Sequence, residues 1–205
     1  MTLLFSGRHF PSDIILLSVR YYLAYKLSYR EIEEILAERH IQVDHSTLNR
    51  WVIQYAPLLE QRARQMKKPV MRSWRMDETY IKVKGQWKYY YRAVDKQGNV
   101  VDFLLCDKRD EAAARAFFDK AIKHNGQPKK VVIDKSGANT SALRNINFQL
   151  CLLGDSLNQI EVRQNKYLNN MVEQSHRKVK RKMHQCLGWR SDVSARATVL
   201  SQDFQ

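Results

Sequence analysis

The sequence predicts an α/β protein in two parts, an all-helical N-terminal domain followed by a mixed sheet with helices packed on it, and three observations carry that prediction. The texture changes once along the 205 residues: everything before "ARQMKKPVMRSW" reads helical, and β-branched and aromatic residues alternate after it. Beyond that point, strand-like and helix-like segments follow in the order β-β-β-α-β-α-β-α. The third observation is charge, because 35 Lys and Arg against 21 Asp and Glu give a formal +14. The ordinary counterpart of such an excess is a polyanion, nucleic acid first and an anionic membrane surface second. At 44% hydrophobic residues the chain can bury a core.

The helical domain is expected over residues 1–66. Ser12 and Asp13 start a first helix running to about Leu27. "SYRE", Ser28 to Glu31, is a capping box that opens a second helix with Ile32, Ile35 and Leu36 on its apolar face. "HSTLNRWVIQYA" begins a third, capped by Asp44 or Ser46, with Leu48, Trp51 and Val52 inward. Two helices joined by a brief turn form a helix-turn-helix, and the second opens with His45, Ser46, Thr47, Asn49 and Arg50. Short polar side chains and an Arg at that end suit base edges and phosphates in the major groove. A plain three-helix bundle serving assembly is the alternative for these helices alone; the net charge favours DNA. Residues 67–72, with Pro69, read as a linker. The apolar run from Ile14 to Leu27 is broken by Arg20 and Lys26 and is too short and polar to span a bilayer. No signal peptide is evident, so a cytoplasmic protein without a membrane partner is expected. Cys106, Cys151 and Cys186 are far apart and odd in number, as expected of reduced, inert thiols.

Residues 73–190 are expected to form the sheet domain, leaving 191–205 as a C-terminal segment. "SWRMDETYIKVKG", "QWKYYYRAVDKQG" and "NVVDFLLC" read as an antiparallel meander. "RDEAAARAFFDKAIKHNG" is an amphipathic helix with Asp110 near its start and Gly126 past its end. "KKVVID" is a short buried strand, "GANTSALRNI" a helix, "QIEVRQ" another strand, and a long helix follows from Asn169. That order matches the topology of ribonuclease-H-like cores. In nucleases of this topology, two metal ions are held by carboxylates from the first strand, the end of the fourth strand and the helix after the last strand. The rule selects Asp77, Asp134 and Glu173. The competing acids have simpler roles. Asp95 belongs to a turn, Asp110 and Glu111 to a helix start, Asp102 and Asp107 to a solvated edge, and Glu31, Glu33 and Glu34 to a helix start or face. Glu78 points to the opposite side of the strand from Asp77 and is a poor second ligand. All-oxygen ligands call for Mg²⁺, with Mn²⁺ as a substitute and two ions per site. His176 has no accompanying His/Cys cluster, which argues against zinc and for a phosphate contact or an exposed position.

"GRHFPSDIILLSVRYYLAYKLSYREIEEILAERHIQVDHSTLNRWV", "MDETYIKVKGQWKYYYRAVDKQGNVVDFLL", "IDKSGANT" and "RQNKYLNNMVEQSHRKVKR" together resemble the transposases of the IS-six family of bacterial insertion sequences. The resemblance covers roughly residues 7 to 198. It implies a helix-turn-helix followed by a DDE catalytic core with an integrase-like fold, with the triad falling on Asp77, Asp134 and Glu173. It also implies a basic residue seven positions after the glutamate, here Lys180. The function it implies is metal-dependent cleavage at terminal inverted repeats and transfer of the freed 3'-hydroxyl into target DNA, by a homo-oligomer on double-stranded DNA. Two departures accompany it. The spacing from Asp134 to Glu173 is a few residues longer than usual, and the chain stops at Gln205 where the family continues into an apolar helix and a basic tail. A truncated, catalytically inactive DNA-binding remnant is therefore the alternative expectation. Another nuclease of the same fold is disfavoured by the helix-turn-helix.

On the last helix, 100° per residue places Val172, Val179, Met183 and Cys186 on one inward stripe. Lys178, Arg181 and Lys182 point the other way, and Glu173 lies at the border in line with Arg177, Lys180 and His184. The expectation is an acid at the reaction centre with Arg177, Lys180 and Arg181 along the DNA backbone.

Overall fold

The computed structural model describes residues 9–25, 27–66, 69–165, 170–185, 188–189 and 191–201. Three helices come first, α1 (Ser12–Ala24), α2 (Tyr29–Ala37) and α3 (His45–Met66). Their starts have local causes. Ser28 Oγ accepts from the Glu31 amide and the Glu31 carboxylate accepts from the Ser28 amide, so the capping box opens α2. Asp44 Oδ1 accepts from the Ser46 amide at 2.7 Å, which makes Asp44 the cap of α3. Helix α1 starts at Ser12 and Asp13 as the sequence predicts, behind Pro11 at the cap with no side-chain hydrogen bond, but it stops at Ala24 rather than about Leu27.

Ile15, Val19, Tyr22, Ile32, Leu36, Leu48, Trp51 and Val52 share one apolar core. A last helix, α7 (Asp192–Ser201), packs on α1 and α3 with Ala195 and Val199 buried. By compactness this helical unit comprises Met1–Lys67, Val83–Gly85 and Arg181–Gln205. The second unit comprises Lys68–Lys82 and Gln86–Lys180. Within the first unit, the amide of Lys84 donates to the Trp189 carbonyl at 2.7 Å.

The second unit is built on five strands: β1 (Ser73–Val83), β2 (Gln86–Asp95), β3 (Val100–Cys106), β4 (Lys130–Ile133) and β5 (Glu161–Gln164). Their order in the sheet is β3-β2-β1-β4-β5, antiparallel between β2 and β3 and parallel along β1-β4-β5. This is the ribonuclease-H-like arrangement that the segment order predicts. Lys84 and Gly85, both at positive φ (52° and 77°), make the tight turn from β1 to β2. Helix α4 (Glu111–Asn125) is capped by Asp110, whose Oδ1 accepts from the Ala113 amide at 2.8 Å, and ends at Gly126 with φ 75°. Helices α5 (Gly137–Leu152) and α6 (Asn170–Gln185) complete the unit, with α6 continuing past Lys180 into the first.

Strand parity decides which side each β1 residue serves. Trp74 and Met76 join Phe117, Phe118 and Leu143 in the core under α4 and α5, while Asp77 takes the other face. Fully buried Phe117 and Phe118 each contribute about 2–3 kcal/mol by leaving water. Asp102 corrects the sequence reading, since it is buried rather than solvated. Its carboxylate meets Lys120 Nζ at 2.9 Å and His124 Nδ1 at 2.7 Å. Burial alone would raise its pKa, but Lys120, His124 and the Phe103 amide hold it below the usual carboxylate value. β3 is an edge strand, yet α4 packs against it and supplies both partners. Asp95 does serve its turn, accepting the Gln97 and Asn99 amides at 2.9 Å each, and also ties down the Met71 amide at 3.0 Å.

Candidate active site

Asp77 sits in mid-β1 where the strand runs under α6, and only a fifth of its side chain is exposed. Burial in an apolar strand raises its pKa first, and the neighbouring charges of Glu78, Asp134 and Glu173 raise it further, to about 6. One adjacent acid and two from distant parts of the chain thus influence one group. Asp134 follows β4, and its Oδ1 accepts from the Ser136 amide at 3.0 Å at the entrance to α5. Glu173 lies in the first turn of α6, half-buried, where the helix dipole favours an acid.

Glu78 has a part that the sequence reading missed. It does point away from Asp77, but its side chain is only 5% exposed. Arg109 donates through Nε to Glu78 Oε1 at 2.6 Å, with Nη2 also at that oxygen, and Asn139 Nδ2 donates to Oε2 at 2.9 Å. Arg109 Nη2 also lies 4.0 Å from Asp134 Oδ2. The signal was available: Glu78 follows Trp74 and Met76 in parity, and an acid on a core face requires a buried partner.

On α6, Val172, Val179 and Met183 are buried as expected; Cys186 lies outside the described residues. His176 corrects the expectation of an exposed residue or phosphate contact, being 5% exposed with Nδ1 3.6 Å from Asp77 Oδ2 and its ring edge-on to Tyr90. It follows Val172 by four residues and so belongs to the buried stripe. Burial, then the charges of Arg92 and Lys180, lower its pKa to about 3, so the imidazole beside Asp77 is neutral. Lys182 is a second correction. Its side chain is buried, not on the solvated face, and Nζ donates to the carbonyls of Tyr25 at 2.8 Å and Leu27 at 2.9 Å while lying over the Tyr22 ring. Arg177 and Arg181 are exposed and Lys180 is partly so.

At the start of α3, Ser46 and Arg50 are exposed and Thr47 and Asn49 partly so, with Arg50 Nη2 donating to Thr47 Oγ1 at 2.8 Å. The His45 ring lies 3.2 Å from Glu33 and 3.3 Å from Asp44. Among the described residues, Glu33, Asp44 and His45 are the one group of three ligating side chains whose donor atoms all lie within 4.8 Å of one another. Those atoms already bond to each other and to the helix start, and nothing further points to an ion there. Asp77, Asp134 and Glu173 are not gathered so tightly.

Their chemistry nevertheless fits a hard divalent cation. The donors are all carboxylate oxygens, the nearby imidazole is neutral, and Asp77 is held protonated up to about pH 6 by burial and by its fellow acids, a crowding that a cation would relieve. A pH-dependent stability follows for the metal-free protein. The pKa of Asp77 is raised in the fold from 3.8 to about 6, so its contribution to stability is complete below pH 3.8 and is lost as pH rises through 6. Asp77→Asn is therefore expected to stabilise the metal-free fold at pH 8 by on the order of 2 kcal/mol and to change little at pH 4. His176 has the opposite sign, its contribution being present above pH 6.5 and lost as pH falls toward 3. Urea unfolding at both pH values checks the Asp77 claim, and an equal effect of the substitution at each would refute it.

The chain is similar to several known proteins. A family model described as a DDE domain matches residues 71–204. The transposase for insertion sequence-like element IS431mec of Staphylococcus aureus is 43% identical over 176 residues, covering 86% of this chain and 76% of that protein. The transposase for insertion sequence element IS257 in transposon Tn4003, also from Staphylococcus aureus, matches with the same identity and coverage. Among solved structures, the HTLV-2 integrase catalytic core domain in complex with magnesium is similar with a TM-score of 0.48 and 14% identity, covering 63% of this chain and 84% of that one.

Proposed function

Because the chain belongs to the IS-six family of insertion-sequence transposases, with a DDE domain as its catalytic part, we propose that Asp77, Asp134 and Glu173 are the metal ligands with which it cuts DNA at terminal inverted repeats and joins the freed end to target DNA. The observation that carries this assignment is Asp77, buried in mid-strand and raised to about pKa 6 with Asp134 and Glu173 among the causes. An acid kept in that position at a cost to the fold is accounted for by a ligand it must hold.

Two Mg²⁺ ions, or Mn²⁺ in their place, would supply a lowered pKa at the attacking oxygen and charge neutralisation at the leaving one. The protein's own work is placement. Rigid β1 and β4 position Asp77 and Asp134, and the first turn of α6 brings Glu173. Neutral His176 lies against the Asp77 carboxylate without adding charge. Both steps are displacements at phosphorus, first by water and then by a 3'-hydroxyl, so no side-chain nucleophile is required.

DNA is held elsewhere on the chain. His45, Ser46, Thr47, Asn49 and Arg50 open the second helix of the helix-turn-helix and reach base edges and phosphates, with His45 braced by Glu33 and Asp44. Arg177, Lys180 and Arg181 follow the backbone beyond Glu173. A homo-oligomer brings two ends together. No helix among the described residues is long and apolar enough to cross a membrane. The test uses purified protein, Mg²⁺ and a duplex carrying the repeat that flanks the gene. The wild type is expected to nick or join it and Asp77→Asn to do neither; equal behaviour of the two sinks the assignment.

A further inference from the structure

Glu78, Arg109 and Asn139 take no part in the chemistry above, yet they form a bonded polar group beside it. Glu78 is 5% exposed and both its oxygens are engaged, Oε1 by Arg109 and Oε2 by Asn139, which is itself fully buried. A buried carboxylate with two fixed donors holds a guanidinium in one place. Arg109 is nevertheless 40% exposed, and its Nη2 stands 4.0 Å from Asp134 Oδ2. Among the described residues no protein group accepts from Arg109 Nη1, so donors remain for a partner from solution. The result is a planar cation, anchored from beneath, at the rim of the carboxylate cluster.

Charge indicates what that partner is. Arg109 neutralises Glu78, and two divalent ions would bring four positive charges against the three of ionised Asp77, Asp134 and Glu173. The group as a whole then keeps one positive charge, the complement of a single phosphodiester. We infer that Arg109, positioned by Glu78 and Asn139, binds a phosphodiester of the DNA strand at the reaction centre. The inference rests on the metal-ligand assignment of Asp77, Asp134 and Glu173, and adds to it a phosphate-binding residue from the loop between β3 and α4.

The test is a charge cycle read by binding. Full-length protein is titrated, with Ca²⁺ in place of Mg²⁺, against a terminal-repeat duplex that is either intact or has its scissile phosphodiester replaced by a neutral methylphosphonate. The wild type is expected to prefer the intact duplex by about tenfold, the scale of one charge-assisted contact. Arg109→Gln is expected to lose most of the preference, keeping only what the Ca²⁺ ions contribute, Arg109→Lys to keep more of it, and Glu78→Gln to lose much of it with Arg109 still present. Full preference in Arg109→Gln, or none in the wild type, overturns the inference. Cleavage of the intact duplex in Mg²⁺ by wild type but not Asp77→Asn is scored separately, so failure of the metal assignment is distinguishable from failure of the Arg109 contact.

Discussion

Glu173→Gln is expected to lose strand cleavage by about a thousandfold or more, equivalent to about 4 kcal/mol of transition-state stabilisation, while binding the terminal-repeat duplex within about twofold of the wild type. The carboxamide has nearly the same shape and keeps the first turn of α6 intact, but offers a neutral oxygen where a cation needs an anionic one. Binding is expected to survive because the residues proposed for it lie elsewhere, at the start of α3 and among the exposed cations of α6. The contrasting control is Asn49→Ala with Arg50→Ala, which should lose repeat-specific binding and cut only to the extent that it still binds. A gel-based cleavage assay beside fluorescence anisotropy separates the two. Should Glu173→Gln cut at a rate near the wild type, or fail to bind, Glu173 is not a ligand in this sense.

The parts of this molecule that could be read in advance are those set by local rules. The Ser28–Glu31 box, the Asp110 cap, the Gly126 stop and the strand alternation each depend on neighbours a few residues away, and each forms as the spacing requires. The strand order followed because short connections leave a chain of this pattern few topologies. What could not be read depends on elements remote in sequence. Asp102 looked solvated because β3 is an edge strand, and only the packing of α4 supplies Lys120 and His124. Glu78 looked irrelevant as a ligand, and Arg109 and Asn139, 31 and 61 residues away, give it its partners. His176 was weighed only as a zinc ligand without companions, when helical spacing from Val172 already put it on the buried stripe.

Lys182→Met is expected to cost the fold about 2–3 kcal/mol in urea unfolding while leaving the salt dependence of DNA binding unchanged. In sequence Lys182 belongs to the basic stretch from Arg177 to Lys182, and helical spacing places it with Lys178 and Arg181 on the face away from the core. Its position argues otherwise. Nζ donates to two carbonyls just past the end of α1, at Tyr25 and Leu27, and packs on the Tyr22 ring. The Tyr25 carbonyl is at the negative end of the α1 dipole, so an ammonium there both satisfies it and opposes that charge, and Leu27 offers a second acceptor just ahead of the α2 cap. Methionine fills the same volume without a donor. It spares the desolvation of a buried ammonium, which offsets part of the loss, but leaves the two carbonyls without this donor at about 1–3 kcal/mol each. Lys180→Ala should behave in the reverse way, with little change in stability and a salt slope reduced by about one phosphate contact. If Lys182→Met instead lowers the slope and leaves unfolding unchanged, the cation is spent on DNA and not on the fold.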